Sequence, residues 1–218
     1  ILIVASGSPV SLQGIEQHCD AILQVWYPGE QGGNAVADVL FGAVSPSGHL
    51  PITFPQSVDQ LPPFEDYSMQ GRTYRYMQQE PLFPFGFGLG YSHSSVSGLE
   101  LSSNRLDGSE PLRVSVDVAN SGSFDIEEVV QLYISPVTPG GDIPLHSLRG
   151  FKRVALAQGE KKTLDFILEA GQFRFVDENG DRVWRKGRYL VSVGNAAPGE
   201  RSIELGAAVH QVAEVMLE

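Results

Sequence analysis

The sequence predicts a short α/β segment followed by an all-β sandwich of immunoglobulin or fibronectin III type, and three observations carry that expectation. Up to Gly42, continuous apolar runs alternate with a helical period, the traffic of strands in a parallel sheet. From Val96 onward the apolar residues recur at every second position, the period of half-buried strands. Between them lies a stretch dense in proline and aromatic residues.

The first apolar run, Ile1 to Ala5, reads as a strand covered on both faces, and Ser6-Gly7-Ser8-Pro9 ends it. Leu12 to Asp20 is short and polar enough for a surface helix or an ordered turn. Ala21 to Tyr27 is the second strand, stopped by Pro28-Gly29. In Ala35 to Phe41 the side chains Val36, Val39 and Leu40 fall at i, i+3 and i+4, so one face is apolar, and Gly42 stands where a helix C′ residue belongs. The order is βαβα, which implies a parallel sheet with right-handed crossovers. Two strands and two helices in about 45 residues bury too little surface to stand alone. The chain also opens on a strand with no Met and no leader pattern, so it is expected to be the C-terminal piece of something longer.

From Ser45 to Ser95 the sequence carries Pro46, Pro51, Pro55, Pro62, Pro63, Pro81 and Pro84 among Phe54, Phe64, Tyr67, Tyr74, Tyr76, Phe83, Phe85, Phe87 and Tyr91. A flexible linker is rich in Gly, Ser or charge, whereas large apolar anchors predict a strap packed along its length. In the last part, Leu112-Val114-Val116-Val118, Val130-Leu132-Ile134, Leu164-Phe166-Leu168 and Tyr189-Val191-Val193 each alternate with other residues. Asn120-Ser121-Gly122, Pro139-Gly140-Gly141, Gln158-Gly159 and Glu178-Asn179-Gly180 supply turns between strands. Trp184 reads as sandwich core. The expected division is 1–55, 56–95 and 96–218.

Composition narrows the function. Lys and Arg number 15 against 26 Asp and Glu, a formal net charge of −11, and phosphate recognition needs the opposite balance, so nucleic acid is not an expected partner. No apolar run reaches the roughly 18–20 residues of a membrane span, so no membrane partner is expected. One cysteine, Cys19, excludes an internal disulfide and leaves the compartment open. It lies in a helix-like segment and reads as a small buried hydrophobe. The five histidines, His18, His49, His93, His146 and His210, show no ligand spacing, so neither a metal nor another cofactor is expected.

The Gly-rich loop Tyr27 to Asn34 and the Ser6 to Pro9 loop follow the two strands and should share one rim, the edge where open parallel sheets bind ligands. Glu30 is the carboxylate on that rim and a candidate substrate contact, and Trp26 stands where it could line the same edge. Gly86-Phe87-Gly88-Leu89-Gly90 spells a G-x-G-x-G, but no helix with small-residue packing follows, so the glycines read as structural. Glu127-Glu128, Asp165 and Asp177-Glu178 read as solvated strand edges and turns. Gly71-Arg72-Thr73-Tyr74-Arg75-Tyr76 puts Arg beside Tyr, which suits stacking on sugars and hydrogen bonding to their hydroxyls and suits interdomain packing equally. Arg72, Tyr74 and Tyr76 are therefore candidate substrate contacts.

Taken together, Trp26-Tyr27-Pro28-Gly29 through Gly32-Gly33-Asn34-Ala35, Ala37-Asp38-Val39-Leu40-Phe41-Gly42, Pro46-Ser47-Gly48-His49-Leu50-Pro51-Ile52-Thr53-Phe54-Pro55, Gly71 to Tyr76 and Pro84 to Ser92 resemble the C-terminal half of family 3 glycoside hydrolases, the β-glucosidase and β-xylosidase family. Val116-Asp117-Val118, Glu128 to Tyr133 and Leu148 to Val154 resemble that family's fibronectin III-like domain. The resemblance implies an enzyme with a TIM-like barrel and an α/β sandwich upstream. Its substrate would be a β-linked oligosaccharide or glycoside, hydrolysed from the non-reducing end by a retaining mechanism. Such a mechanism needs two carboxyl groups about 5–5.5 Å apart. In this family they lie in the barrel and in a loop upstream of the segment matching Ile1, so no catalytic residue is expected here. Relatives read Gln-Glu where this chain has Glu30-Gln31, so Glu30 is not given the relatives' glutamate role. The other reading is a non-catalytic β-sandwich binding polysaccharide or a partner protein. Homo-oligomerisation stays open, and a periplasmic or secreted location is favoured by resemblance only.

Overall fold

The computed structural model describes residues 1–12, 14–138, 143–177 and 179–218. The turn expected at Pro139-Gly140-Gly141 and the Glu178 position of the later turn lie outside the described residues. The chain is α/β followed by all-β.

Strands β1 (Leu2–Val4) and β2 (Ile22–Gln24) pair in parallel, Leu2 opposite Ile22 and Val4 opposite Gln24. Their crossover contains a single 3-10 turn at Ile15–His18, and Cys19 lies just past it, half-buried rather than in the core. Ile3 is 43% exposed, so β1 is covered on one face only within this chain. Helix α1 spans Gly32–Leu40. It begins three residues earlier than the apolar period indicates, and at its start the Gly32 backbone lies directly on the Pro28 ring, which leaves no room for a Cβ. At its other end Gly42 takes φ +76°, the Gly42 N–H donates to Val39 O and the Ala43 N–H to Asp38 O, the glycine-terminated stop that the sequence predicts.

Residues 50–54 then run beside 82–87, joined by Leu50 N–H to Phe87 O, Gly86 N–H to Leu50 O and Phe54 N–H to Phe83 O. Leu12, Phe54 and Leu82 form a small core there, with Leu2, Val4, Ile22 and Trp26 against it. The strap departs from the sequence reading between these anchors. Phe64 and Tyr67 are 86% and 88% exposed, so the strap packs at its ends and around helix α2 (Thr73–Tyr76) but not along its length.

The sandwich is built from β3 (Ser94–Leu101), β4 (Arg105–Leu106), β5 (Leu112–Asn120), β6 (Ile126–Pro136), β7 (Ser147–Leu156), β8 (Lys161–Leu168), β11 (Gly187–Gly194) and β12 (Gln211–Leu217). Its sheets run β4-β12-β11-β6-β7 and β3-β5-β8, and a hairpin of β9 (Arg174–Val176) and β10 (Arg182–Trp184) stands beside them. Val114, Val116 and Val118 from one sheet meet Val130, Leu132, Ile134, Val191 and Val193 from the other at 0% exposure. Each such side chain contributes about 1.5–3 kcal/mol by leaving water. Trp184 packs on this core from its edge, tilted against Phe173, with its indole N–H on Glu218 O, rather than standing inside it.

Strand β6 departs from simple alternation. Its outward residues Gln131, Tyr133 and Ser135 are buried as well, because the strap covers that face. Sequence periodicity shows where a strand's apolar face lies, but not that a separate segment will cover its polar face.

Candidate functional site

Three places could carry function: the rim, the strap and the contact between strap and sandwich. At the rim the two loops do meet. The Gln24 amide donates to Ser6 O at 3.2 Å, and a Cβ on Gly7 would stand 2.5 Å from the Tyr27 ring, so the glycine lets the tyrosine lie flat across the first loop. Trp26 reaches φ +54°, a left-handed backbone conformation that non-glycine residues rarely adopt. That turn places its ring 6.3 Å from Phe54, in the small core rather than along the open edge, while Tyr27 is left 81% exposed. Glu30 is exposed in the loop that leads into α1.

In the strap, Arg72 turns inward onto its own loop. Its guanidinium donates to Ser68 O at 3.1 Å, Pro63 O at 3.2 Å and Asp66 O at 2.6 Å. Tyr74 is packed between domains: its ring stacks on Phe85 at 4.2 Å and meets Tyr133 edge-on at 6.0 Å, its N–H donates to Thr53 Oγ1, and its hydroxyl accepts from Leu148 N–H. Tyr76 is half-buried with the Arg75 guanidinium over its ring at 5.7 Å. The four candidates are therefore not one cluster; Arg72, Tyr74 and Tyr76 share the strap and Glu30 lies on the rim. Beside Tyr74 a cleft of about 230 Å³ runs between strap and sandwich, with Glu80, Phe85, His146, Glu200 and Arg201 on its walls.

Replacing Arg72 with alanine should release the 63–68 turn. Because the guanidinium is accessible, the stability loss should stay below about 1.5 kcal/mol. Limited proteolysis should nonetheless cut within 61–70 several times faster than in the parent, and an unchanged cleavage rate would show that these three bonds do not hold the loop.

The third place is one that the sequence reading missed. Glu128, taken as a solvated strand-edge residue, is 8% exposed and lies 3.0 Å from His49, whose side chain is 9% exposed. Glu128 shares the inward parity of Ile126 and Val130 but sits beyond the last β11 partner, Gly194 opposite Gln131, so it points into the open end of the sandwich. There the carboxylate accepts from the Ser94 hydroxyl, from the Asn195 amide at 3.2 Å and from Val129 N–H at 2.8 Å. On the other side His49 Nδ1 meets Gly86 O at 2.6 Å, and Gly86 O also accepts from the Gln131 amide at 2.9 Å. Gln131 in turn donates to Asn195 O and accepts from Tyr133 O–H.

Both ring nitrogens of His49 face oxygens, a carbonyl and a carboxyl, so with Glu128 ionised both carry hydrogen and the ring is an imidazolium. Burial alone would lower the His49 pKa, but the Glu128 hydrogen bond and charge, with the Gly86 and Asn195 carbonyls, outweigh it and raise the value above the usual 6.5. Burial would likewise raise Glu128, and His49, Ser94 and Asn195 together hold it below the usual 4.5.

The glycines of the G-x-G-x-G stretch belong to this junction. Gly86 has φ +74° and a Cβ there would overlap the Gln131 side chain, while one on Gly88 would come within 2.5 Å of Gly48 O. The glycines let two chain segments touch, which is the structural reading of the motif. A lone His49 and a Glu-Glu pair on a strand give no sequence signal of their pairing, since 79 positions separate them.

Comparison with known proteins finds relatives for both parts of the chain. Residues 1–91 match the glycosyl hydrolase family 3 C-terminal domain and residues 128–197 a fibronectin type III-like domain. The chain is 42% identical over 199 residues to a xylan 1,4-beta-xylosidase from Xylanibacter ruminicola, covering 90% of this chain and 22% of that protein. It is 36% identical over 206 residues to a periplasmic beta-glucosidase from Salmonella typhimurium, covering 89% of this chain and 27% of that one. A solved β-glucosidase from Erythrobacter marinus superposes with a TM-score of 0.82 at 33% identity, over 99% of this chain and 28% of that one. The chain thus spans about a quarter of the length of the relatives it matches.

Proposed function

Since this chain belongs to glycosyl hydrolase family 3, carrying that family's C-terminal domain and a fibronectin type III-like domain, we propose that it serves a retaining β-glycosidase releasing β-glucosyl or similar β-glycosyl residues from non-reducing ends. The observation that carries the reading is the nearly full coverage of this chain by proteins named as β-glucosidases and β-xylosidases. The substrate is a β-linked oligosaccharide or glycoside. Residues 1–55 supply the last part of the α/β layer, 56–95 the strap and 96–218 the brace.

In this reading the nucleophile and the acid/base carboxyl lie in an upstream barrel and α/β portion, which are the chain's nearest partners. Glu30 and Tyr76 are the proposed substrate-facing side chains, and Arg72 and Tyr74 shape the cleft by fixing the strap. The engaged state of Arg72 and the buried contacts of Tyr74 support that division. A periplasmic or secreted location belongs to the same proposal, supported by the Salmonella relative's name.

The test is an assay of the purified 218-residue chain, and of the same chain joined to the upstream barrel and α/β portion, on aryl β-glucoside and aryl β-xyloside. The chain alone should release no aglycone above the buffer rate, and the joined enzyme should hydrolyse one of the two with retention at the anomeric carbon. Full activity of the chain alone would overturn the placement of the carboxyls. Inversion, or no hydrolysis of either substrate by the joined enzyme, would overturn the function.

A further inference from the structure

We infer that the His49–Glu128 contact is a proton-operated lock between the strap and the sandwich, closed when the pair holds one proton more than a neutral imidazole and a carboxylate, and opened by its loss. The geometry calls for that proton: with Nδ1 at 2.6 Å from Gly86 O and Nε2 at 3.0 Å from Glu128 Oε1, one hydrogen belongs on Nδ1 and a second between Nε2 and the carboxyl. A neutral ring turns the lone pair of one nitrogen onto an oxygen at that distance and removes the charge opposite a buried carboxylate, and both losses favour the open junction. The lock joins separate parts of the chain, because His49 leads into the strap, Gly86 lies in its last part, Glu128 is on β6 and Asn195 follows β11.

Few other charges face His49. Glu128 is the ionisable group coupled to it among the described residues, and Gln131, Ser94 and Asn195 around the pair are neutral. Tyr133, deep beneath Gln131, has its phenol pushed up by burial and stays uncharged. Arg153 reaches Ser47 two residues before His49, but its charge is paired with Glu127.

The sign of the pH dependence follows. A histidine whose folded value is raised gives its full stabilisation below 6.5 and loses it as pH climbs through the folded value. A carboxylate whose folded value is lowered gives its stabilisation above 4.5 and loses it as pH falls through the folded value. The lock therefore gives its full stabilisation from about 4.5 to about 6.5, and opens as pH climbs through the raised His49 value or falls through the lowered Glu128 value. His146 and His210, both lowered by burial, act in the opposite sense below neutrality, so the lock must be read locally or by difference.

This inference does not depend on the hydrolytic reading. The Leu145 and Ala197 amides of the sandwich, bonded to Arg75 O and Phe85 O of the strap, report the junction directly. Their hydrogen-exchange protection, corrected for the intrinsic pH dependence, should fall by up to tenfold per pH unit above the His49 midpoint. In His49→Gln it should be flat with pH. An NMR titration of the His49 ring in the parent chain guards against a variant that fails to fold. A midpoint above that of free histidine supports the lock. A midpoint below it, or the same exchange profile in parent and variant, would overturn it.

Discussion

Glu128→Ala should lower the unfolding free energy of the chain by about 3–5 kcal/mol at pH 6, because it removes one partner of a buried pair and leaves the other charge uncompensated. The carboxylate is also where the Ser94 hydroxyl, the Asn195 amide and the Val129 N–H end their hydrogen bonds, so with His49 four donors lose an acceptor together. Glu128→Gln keeps the shape and one acceptor oxygen and should cost less, though still more than an exposed carboxylate such as Glu127, whose pair with Arg153 is worth about 0–1 kcal/mol. Above the His49 midpoint the loss should shrink, since the ring is then neutral, but the Ser94, Asn195 and Val129 donors stay without their acceptor and part of the loss remains. Denaturant unfolding of Glu128→Ala and Glu127→Ala at pH 6 and pH 9 checks this, and equal losses at the two sites would sink it.

Gly86→Ala should be the second large effect. Gly86 and Gly42 have nearly the same backbone, φ +74° and +76°, but nothing lies within 4 Å of a Cβ at Gly42, whereas one at Gly86 would overlap Gln131. Gly42→Ala should therefore cost only the left-handed conformation, about 1–2 kcal/mol. Gly86→Ala adds the displacement of a side chain that is 3% exposed and has partners on Gly86, Tyr133 and Asn195, each buried polar group left unpaired adding about 1–3 kcal/mol. Thermal unfolding of the two variants side by side separates conformation from contact. A Gly86 variant no less stable than the Gly42 variant would mean that strap and sandwich are not in close contact there.

Where a single element decides its own environment, the sequence was readable. Val114, Val116 and Val118 face a core because strand alternation and apolar character coincide, and the α1 stop was visible because only glycine suits a residue at φ +76°. The shared rim followed from topology alone, as parallel strands place their following loops on one edge. What stayed hidden depends on pairs distant in the chain. Glu128 reads as a surface charge until the strap brings His49 onto it, and Gln131 and Tyr133 read as a polar face until Gly86 and Tyr74 cover them. Phe64 and Tyr67 were misjudged for the opposite reason: aromatic residues mark a surface that wants cover but not where in the chain the cover lies.

The junction account makes His49 and Glu128 one unit, and a double-mutant cycle tests that most directly. Unfolding free energies of the parent, His49→Gln, Glu128→Gln and the double variant at pH 6 should give a coupling of about 2 kcal/mol, within the range of residues in contact. The double variant should then lose about 2 kcal/mol less than the sum of the two single losses. Losses that simply add, to within about 0.3 kcal/mol, would contradict the lock.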